Sequence, residues 1–229
     1  MKPSEPVFND LVLSVYQEGI ALTRELYERL GHELFDHFEE QGRAVDHFYF
    51  GAADGSSLTV AEDHVKLSCF LEVPAPQVDF DPIFKVLGST LAACSGSPVI
   101  GCDIQVATIM DVATLRGTSK VNFISAEEFI AHNFLRSRSF EALGGTMTGL
   151  GVRVLYERPI PGLGTGAFDL RIDPFVSDRR KIFADLLMQI TQPITREQIE
   201  AQAKETFAYM RTTVPDFLRG SASAVERHD

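Results

Sequence analysis

The chain of 229 residues has no tryptophan, only three cysteines and no CxxC or HExxH motif. Metal sites built from cysteine and histidine usually carry one of these spacings, so we expect no metal. Cys69, Cys94 and Cys102 are an odd number, and the N-terminus lacks the apolar run of a signal peptide. Both features favour a reducing compartment, and we expect a cytoplasmic protein.

Positive charge is scarce, because 21 Lys and Arg stand against 32 Asp and Glu, and the formal net charge is −11. Phosphate groups are bound by a positive field, so we expect neither nucleic acid nor an anionic membrane as a partner. A protein that mimics DNA would need its carboxylates clustered on one face, whereas these are scattered along the sequence. Long apolar runs are absent too, and no stretch approaches the ~18 residues of a membrane span.

Signatures of catalysis are also weak. No GxSxG nucleophile elbow occurs. The glycine-rich stretch 144–151 follows a predicted helix and precedes a predicted strand, whereas a dinucleotide site needs a strand, a turn and then a helix. We therefore expect no cofactor. Cys94 is expected at a helix C-terminus, where the helix dipole disfavours a thiolate, and Cys69 is interpreted as a small core residue.

The first half of the chain combines one strand, a helix, three short strands and a second helix. Residues 11–16 form the apolar strand. Apolar residues at four-residue steps predict a long helix that ends near Gly42, and they are Leu22, Leu26, Leu30, Leu34 and Phe38. Three strands follow, of which the last ends at Val73. Asp81 is a suitable N-cap for the second helix, with Pro82 in its first turn.

The second half repeats this order. A strand at 104–110 leads to a helix, three strands lie between 152 and 190, and a last helix follows. Each helix begins with a capping box, formed by Ser125 with Glu128 and by Thr195 with Gln198. Pro215 is expected to end or kink the last helix.

We therefore predict an α+β fold, in which a curved, mainly antiparallel sheet from two pseudo-repeated β-α-β-β-β-α halves carries helices on one face. The halves are 1–97 and 98–219. A short Ser-Gly-Ser-Pro segment joins them into one compact domain. Residues 220–229 are predicted to form a flexible tail.

One face of the predicted sheet carries a row of aromatic and polar side chains. Phe48 and Phe50 are expected in the core, so His47 and Tyr49 lie on the opposite face, together with Phe70 of a nearby strand. An exposed row of Tyr, His and Phe is typical of a protein–protein surface or a ligand platform. The alternative is that a second layer of helices covers this face.

Two further sets of residues are candidates for function. Asp103 and Asp111 flank the predicted central strand, near the junction of the halves, where a functional acid is sought first. The second set consists of glycines between two predicted strands, and it fits either a hairpin loop or a mobile lid over a cleft. It consists of Gly162, Gly164 and Gly166.

Two segments resemble a known family. The stretch 50–68, Phe-Gly-Ala-Ala-Asp-Gly-Ser-Ser-Leu-Thr-Val-Ala-Glu-Asp-His-Val-Lys-Leu-Ser, is similar to a segment of a sporadically distributed family of uncharacterised bacterial proteins of about this length. Residues 149–156, Gly-Leu-Gly-Val-Arg-Val-Leu-Tyr, resemble that family's R-x-G-L-R-Y strand. The family brings no established activity, so the resemblance implies no catalytic residue. More loosely, the element order resembles duplicated helix-grip folds such as the TATA-binding proteins, which implies only an architecture.

From these observations we expect a soluble, non-catalytic protein that binds another protein or itself through the sheet face at His47, Tyr49 and Phe70. The alternative is a pocket between the sheet and the helices. In that case an interior rich in phenylalanine, which occurs 17 times in the chain, binds a small apolar ligand or supports an enzyme.

Overall fold

Two long strands form the centre of the sheet because alternate residues in each are apolar and buried. Leu11 and Leu13 on β1 (Val7–Gln17) have no exposed surface, and neither do Ile104 and Val106 on β6 (Val99–Asp111). The two strands run antiparallel, with Leu11 opposite Val106 and Leu13 opposite Ile104. This pairing joins the N-terminal and C-terminal parts of the chain into one sheet.

The computed structural model describes residues 5–74, 77–94, 98–115, 123–134 and 150–220. The other strands are β2 (Glu40–Arg43), β3 (His47–Gly51), β4 (Ser57–Ala61), β5 (His64–Pro74), β7 (Val152–Ile160), β8 (Gly164–Pro174) and β9 (Lys181–Ile190). The helices are α1 (Arg24–Glu33), α2 (Asp81–Ala93), α3 (Val112–Leu115), α4 (Ala126–Phe134) and α5 (Arg196–Gly220). The described strands form a nine-stranded antiparallel sheet in the order β2-β3-β4-β5-β1-β6-β9-β8-β7.

Aromatic contacts fix the helices to one face of the sheet. The ring of Tyr27 on α1 lies 5.2 Å from that of Phe48 on β3. On α5, the ring of Phe207 lies 4.5 Å from Phe8 of β1 and 4.9 Å from Phe80, which directly precedes α2. The predicted α+β class, with a mainly antiparallel sheet, is therefore confirmed. Among the described residues, no helix combines the length and apolar character that a membrane crossing requires.

A bulge in β1 brings a further phenylalanine into this core. The register of β1 against both neighbouring strands shifts between Phe8 and Asp10. The extra residue, Asn9, lets Phe8 and Leu11 face the helices, although their spacing would otherwise put them on opposite faces. Asp10 consequently faces the other side of the sheet, opposite Phe70.

The strand order is similar on both sides of the central pair. β1 pairs with β5, and β6 pairs with β9, so each central strand lies beside the last strand of its own half. Among the described residues, the first half has one more strand, β2, and the second half has one more helix, α3. The duplication and the division into two halves stay predictions. The predicted linker, the glycine-rich helix end and the tail fall largely or wholly within 95–97, 135–149 and 221–229, which lie outside the described residues.

The first helix is shorter than the apolar repeat predicts. α1 ends at Glu33, with Leu34 as its C-cap. Leu34 and Phe38 still reach the core, where they are 1% and 3% exposed, but through turns. The prediction that Gly42 ends the helix is wrong, because Gly42 lies in β2 opposite Tyr49. The backbone N–H and C=O groups of β2 form hydrogen bonds with β3, in place of the intrahelical bonds that two more helical turns would have formed.

Two helix boundaries also differ from expectation. Phe80, not Asp81, is the N-cap of α2, and the Asp79 carboxylate accepts a hydrogen bond from the Asp81 N–H at 3.1 Å. Pro215 does not end α5, which continues to Gly220. Proline removes one helical hydrogen bond, but the flanking apolar side chains hold the helix on the core. They are Met210, Val214 and Leu218, each with no exposed surface.

Two glycine-to-alanine substitutions should have opposite effects on stability. A Cβ at Gly31 would lie 2.8 Å from the amide oxygen of Gln41, a flexible side chain, so Gly31→Ala should raise the free energy of unfolding by up to about 1 kcal/mol. A Cβ at Gly101 would lie 2.5 Å from the carbonyl oxygen of Ile190, so Gly101→Ala should lower it by about 1–3 kcal/mol. Urea unfolding measures both. A stable Gly101→Ala variant would contradict the close β6–β9 approach.

Candidate interaction surface

The sheet face opposite the helices, named here the open face, carries the candidate site. Within the described ranges the helices pack on the other face, so most side chains of the open face are at least partly exposed. Alternation along the paired strands defines its members. They include Asp10, Val12, Ser14, Tyr16, His47, Tyr49, Phe70, Asp103, Gln105, Arg153, Leu155, Asp169, Arg171, Asp185, Leu187 and Gln189.

The three residues predicted for an interaction surface lie on this face. Tyr49 and Phe70 are each 40% exposed, and Nδ1 of His47 lies 2.8 Å from the carboxylate of Asp46. Tyr49 and Phe70 are two strands and four residues apart in the register, which puts their Cα atoms about 17 Å from each other. The Tyr49 ring leans along its own strand over Gly51, towards the end of the sheet that carries Phe70. The aromatic residues therefore share one region without touching.

A shallow depression lies beside Phe70. It has a volume of about 280 Å³, and Asp10, Val12 and Ser68 contribute to its floor. The turn at Gly55, between β3 and β4, forms its rim. A single apolar side chain of a partner would fit such a depression.

The polar groups at the centre of the open face pair with one another across strands. The Tyr16 hydroxyl donates to Asp103 at 2.9 Å, and the side-chain amide of Gln189 donates to the same carboxylate at 3.3 Å. Burial, followed by the hydrogen bond to Asp103, raises the pKa of Tyr16 to about 12. The hydroxyl therefore stays protonated at neutral pH.

A second polar pair lies one step further along the same strands. The amide of Gln105 donates to both carboxylate oxygens of Asp185, at 2.9 Å each. Burial raises the pKa of Asp185 above its usual value, although this hydrogen bond and nearby Arg171 act in the opposite direction. Asp185 is thus a half-buried carboxylate whose charge has a neutral hydrogen-bond donor.

The pKa of Asp169 is shifted in the opposite direction to that of Asp185. Its carboxylate is only 8% exposed and accepts two hydrogen bonds from the guanidinium of Arg153, at 2.9 and 2.7 Å, and one from Arg171 at 3.3 Å. The hydrogen bond from Arg153 is the largest cause of its lowered pKa. Bidentate pairing to arginine and a second cation offset the burial of this carboxylate.

The two acids predicted near the junction are not brought together. Asp103 and Asp111 lie eight residues apart on β6, which separates them by about 27 Å. Asp111 accepts a hydrogen bond from the backbone N–H of Ala113 at 2.8 Å, at the start of α3. A shared acid–base role for this pair is therefore excluded by distance. By strand alternation both carboxylates lie on the open face, but at distant positions along β6.

The three candidate lid glycines form part of the β7–β8 hairpin. Gly164 lies opposite Ile160, and the N–H of Leu163 donates to the carbonyl of Ile160 at 3.0 Å. Gly162 and Gly164 have φ of 75° and 70°, which favours glycine at both positions. At Gly166, a Cβ would overlap the side chain of Ile160. This geometry fits the hairpin interpretation, and a lid role stays a prediction.

The cysteines are buried, and burial raises the pKa of Cys69 to about 12, of Cys94 to about 11 and of Cys102 to about 12. Thiols in this state are poor nucleophiles. Within the described ranges, no group of three or more His, Cys, Asp or Glu side chains is arranged to hold a metal ion.

Asparagine substitutions at Asp185 and Asp169 should change the free energy of unfolding in opposite directions at neutral pH. Because the folded pKa of Asp185 is raised, its stabilising contribution is present below the unfolded pKa of about 3.9 and is lost as pH rises. Asp185→Asn should therefore raise the free energy of unfolding at about pH 7 and change it little near pH 3.

Asp169→Asn should act in the opposite direction. The folded pKa of Asp169 is lowered, so its contribution is present above about pH 3.9 and is lost as pH falls through the folded pKa. The variant should lose about 1 kcal/mol at neutral pH, because hydrogen bonds to charged groups are weakened. Urea unfolding of both variants over a pH series measures this. Equal signs at neutral pH would contradict the assignment.

Comparison with known proteins does not extend this description. No family model, curated protein or solved structure matches the chain. The resemblances to the bacterial family and to helix-grip folds therefore stay predictions. The open face has to be interpreted from its own geometry.

Proposed function

We propose that this protein is a non-catalytic binding protein that holds a protein partner on its open face, and that the partner presents basic and apolar side chains. The observation that carries the proposal is the combination of exposed aromatic residues with polar groups that are already paired. Tyr49 and Phe70 remain 40% exposed on a face that no described helix covers. Aromatic side chains in such positions are typical of interface centres.

The pairing of the central polar groups favours binding over chemistry. A partner that covers the Tyr16–Asp103 and Gln105–Asp185 pairs leaves their hydrogen bonds in place. Desolvation is costly for unpaired polar groups and much less so for groups with internal partners. The hydroxyl and amide groups can therefore be covered at modest cost, whereas the two carboxylates require cationic groups of the partner. An acid–base catalyst would instead need a group that is free to exchange protons with a substrate.

Charge on the open face indicates the chemistry of the partner. Asp103 and Asp185 accept hydrogen bonds from neutral groups only, whereas both nearby arginines, Arg153 and Arg171, bind Asp169. Three carboxylates and two guanidinium groups therefore leave the centre of the face with a net negative charge. Two copies placed face to face would bring like charges together, which disfavours self-association through this face. Lysine or arginine side chains of a different protein would offset the same charge.

A second candidate function rests on a cleft at the end of the helix layer. It has a volume of about 230 Å³ and lies between the segment after α1, strand β5 and helix α2. Its apolar lining includes Phe38, Leu67, Ile83 and Val86. A small apolar ligand in this cleft would raise the melting temperature of the protein without any partner, which distinguishes this function from the first.

A crosslinker placed on the open face should capture the partner, and a crosslinker placed outside this face should not. A photo-crosslinking phenylalanine analogue at position 70 should form an adduct with the partner in cells of the native host. The same analogue at position 35 is the matched control, since Phe35 is 72% exposed and lies outside the sheet. The partner identified by mass spectrometry is then purified, and its affinity is measured by calorimetry.

A charged side chain in place of Phe70 should weaken partner binding, whereas one in place of Phe35 should not. Phe70→Glu should weaken binding of the purified partner by at least about tenfold, and Phe35→Glu should leave it unchanged. Affinity should also fall as salt is raised, because exposed charges are screened. If Phe70→Glu and Tyr49→Glu both bind with the wild-type affinity, the open face is not the binding surface.

A further inference from the structure

The longer edge strand of the sheet has main-chain groups without a partner among the described residues. β7 has nine residues, whereas β2 at the other edge has four, and β8 is the only described strand that pairs with β7. The hydrogen bond from Leu163 N–H shows that the carbonyl of Ile160 points into the hairpin. Alternate residues of an antiparallel strand point their N–H and C=O groups to opposite sides. The main chains of Arg153, Leu155 and Glu157 therefore point outward.

The side chains of these three residues form a self-complementary set. Leu155 is 67% exposed, and it lies on the open face between Arg153 and Glu157. If two copies of β7 run antiparallel with Leu155 opposite Leu155, Arg153 of each copy lies opposite Glu157 of the other. Opposite charges and apolar groups directly across an antiparallel pair are both stabilising.

We propose that two copies of this chain form a two-fold symmetric dimer by antiparallel pairing of their β7 strands, centred on Leu155. The outward main chains of 153, 155 and 157 then form about six hydrogen bonds, two for each opposed pair. On the helix side, Val154 of each copy lies opposite Tyr156 of the other, which is a favourable pair. Pro159, which has no N–H to donate, falls just beyond the last of these bonds.

Existing contacts of Arg153 are compatible with this dimer. Its bonds to Asp169 use Nε and Nη2, which leaves the Nη1 group for Glu157 of the second copy. The Arg153 side chain is 58% exposed, so it needs no rearrangement to be reached.

Charge also determines the register. A dimer centred on Arg153 would oppose two cations, and one centred on Glu157 would oppose two anions, so both are disfavoured. A slip by one residue would turn Leu155 away from its counterpart. Charged residues on an edge strand normally prevent pairing. Here the same charges disfavour the neighbouring registers and stabilise the one centred on Leu155.

The dimer goes beyond the proposed function, because it uses the sheet edge and not the open face. It would join the two open faces into one surface. Its test is independent of partner binding. A failure of the dimer leaves the Phe70 experiment unaffected, and the reverse also holds.

Engineered cysteines test the register. Opposed Cα atoms in a hydrogen-bonded antiparallel pair are about 5.5 Å apart, within the range of a disulfide. Leu155→Cys should therefore form a covalent dimer under mild oxidation, and the three native cysteines are buried and do not compete. Glu157→Cys alone is the matched control and should not cross-link, since its copies lie about 14 Å apart. A mixture of Glu157→Cys with Arg153→Cys should cross-link.

Sedimentation equilibrium tests the assembly without a cross-link. The chain has a mass of 25.3 kDa, and the wild type should approach twice that mass at concentrations of tens of micromolar. Leu155→Pro removes an outward N–H that pairs with no other described strand of the monomer, so the variant should be monomeric with unchanged circular dichroism. Glu157→Arg and Arg153→Glu should each be monomeric alone, and an equimolar mixture should restore the dimer by complementary charges.

Three results would overturn the dimer. They are a 25.3 kDa species at every concentration up to about 100 μM, a Leu155→Pro variant that is still dimeric, or equal cross-linking by Leu155→Cys and Glu157→Cys. A Leu155→Pro variant that does not fold leaves the charge-swap mixture and the cysteine series as decisive measurements.

Discussion

The antiparallel pairing of β1 with β6 is the interaction on which the rest of the structure depends. Leu13 lies opposite Ile104, and Val15 lies opposite Cys102, all four with no exposed surface. Every other described strand joins the sheet through one of these two, by way of β5 on one side and β9 on the other. The helices in turn pack on residues that this pair turns towards them. Without it the chain would have two separate half-sheets, each with an additional open edge.

The same pairing assembles the open face. Tyr16 and Asp103 are 87 positions apart in the chain, and Gln105 and Asp185 are 80 apart, yet each pair is joined by a hydrogen bond because β1, β6 and β9 are neighbours. One register thus determines both the apolar core and the polar pattern on the opposite side. A change in the register of β1, β6 or β9 would therefore alter both the apolar core and the open face.

Local signals in the sequence predicted much of the architecture. The capping pair of Thr195 and Gln198 is present, with hydrogen bonds of 2.9 and 3.3 Å, because it involves neighbouring residues only. Alternation of apolar residues predicted the burial of Phe48 and Phe50. The length of α1 could not be predicted in the same way. The leucine repeat continues past Glu33, but pairing of β2 with β3, a tertiary interaction, ends the helix early.

The candidate surface was predictable only in part. Strand alternation was sufficient to assign His47, Tyr49 and Phe70 to one face. The polar pairs at its centre depend on which distant strands are neighbours, and no residue spacing in the sequence encodes that. Asp103 and Asp111 illustrate the limit, since both flank one strand in the sequence but the length of that strand separates them.

The central position of β1 has a consequence for the way this chain reaches its fold. β1 is synthesised before both of its neighbours, β5 and β6, which begin at His64 and Val99. Its ladders therefore close loops of many residues, and such non-local topology slows folding. During synthesis the apolar residues of β1 therefore remain exposed until β5 and β6 have been translated. Nascent chains in that state are the ones that chaperones protect from aggregation.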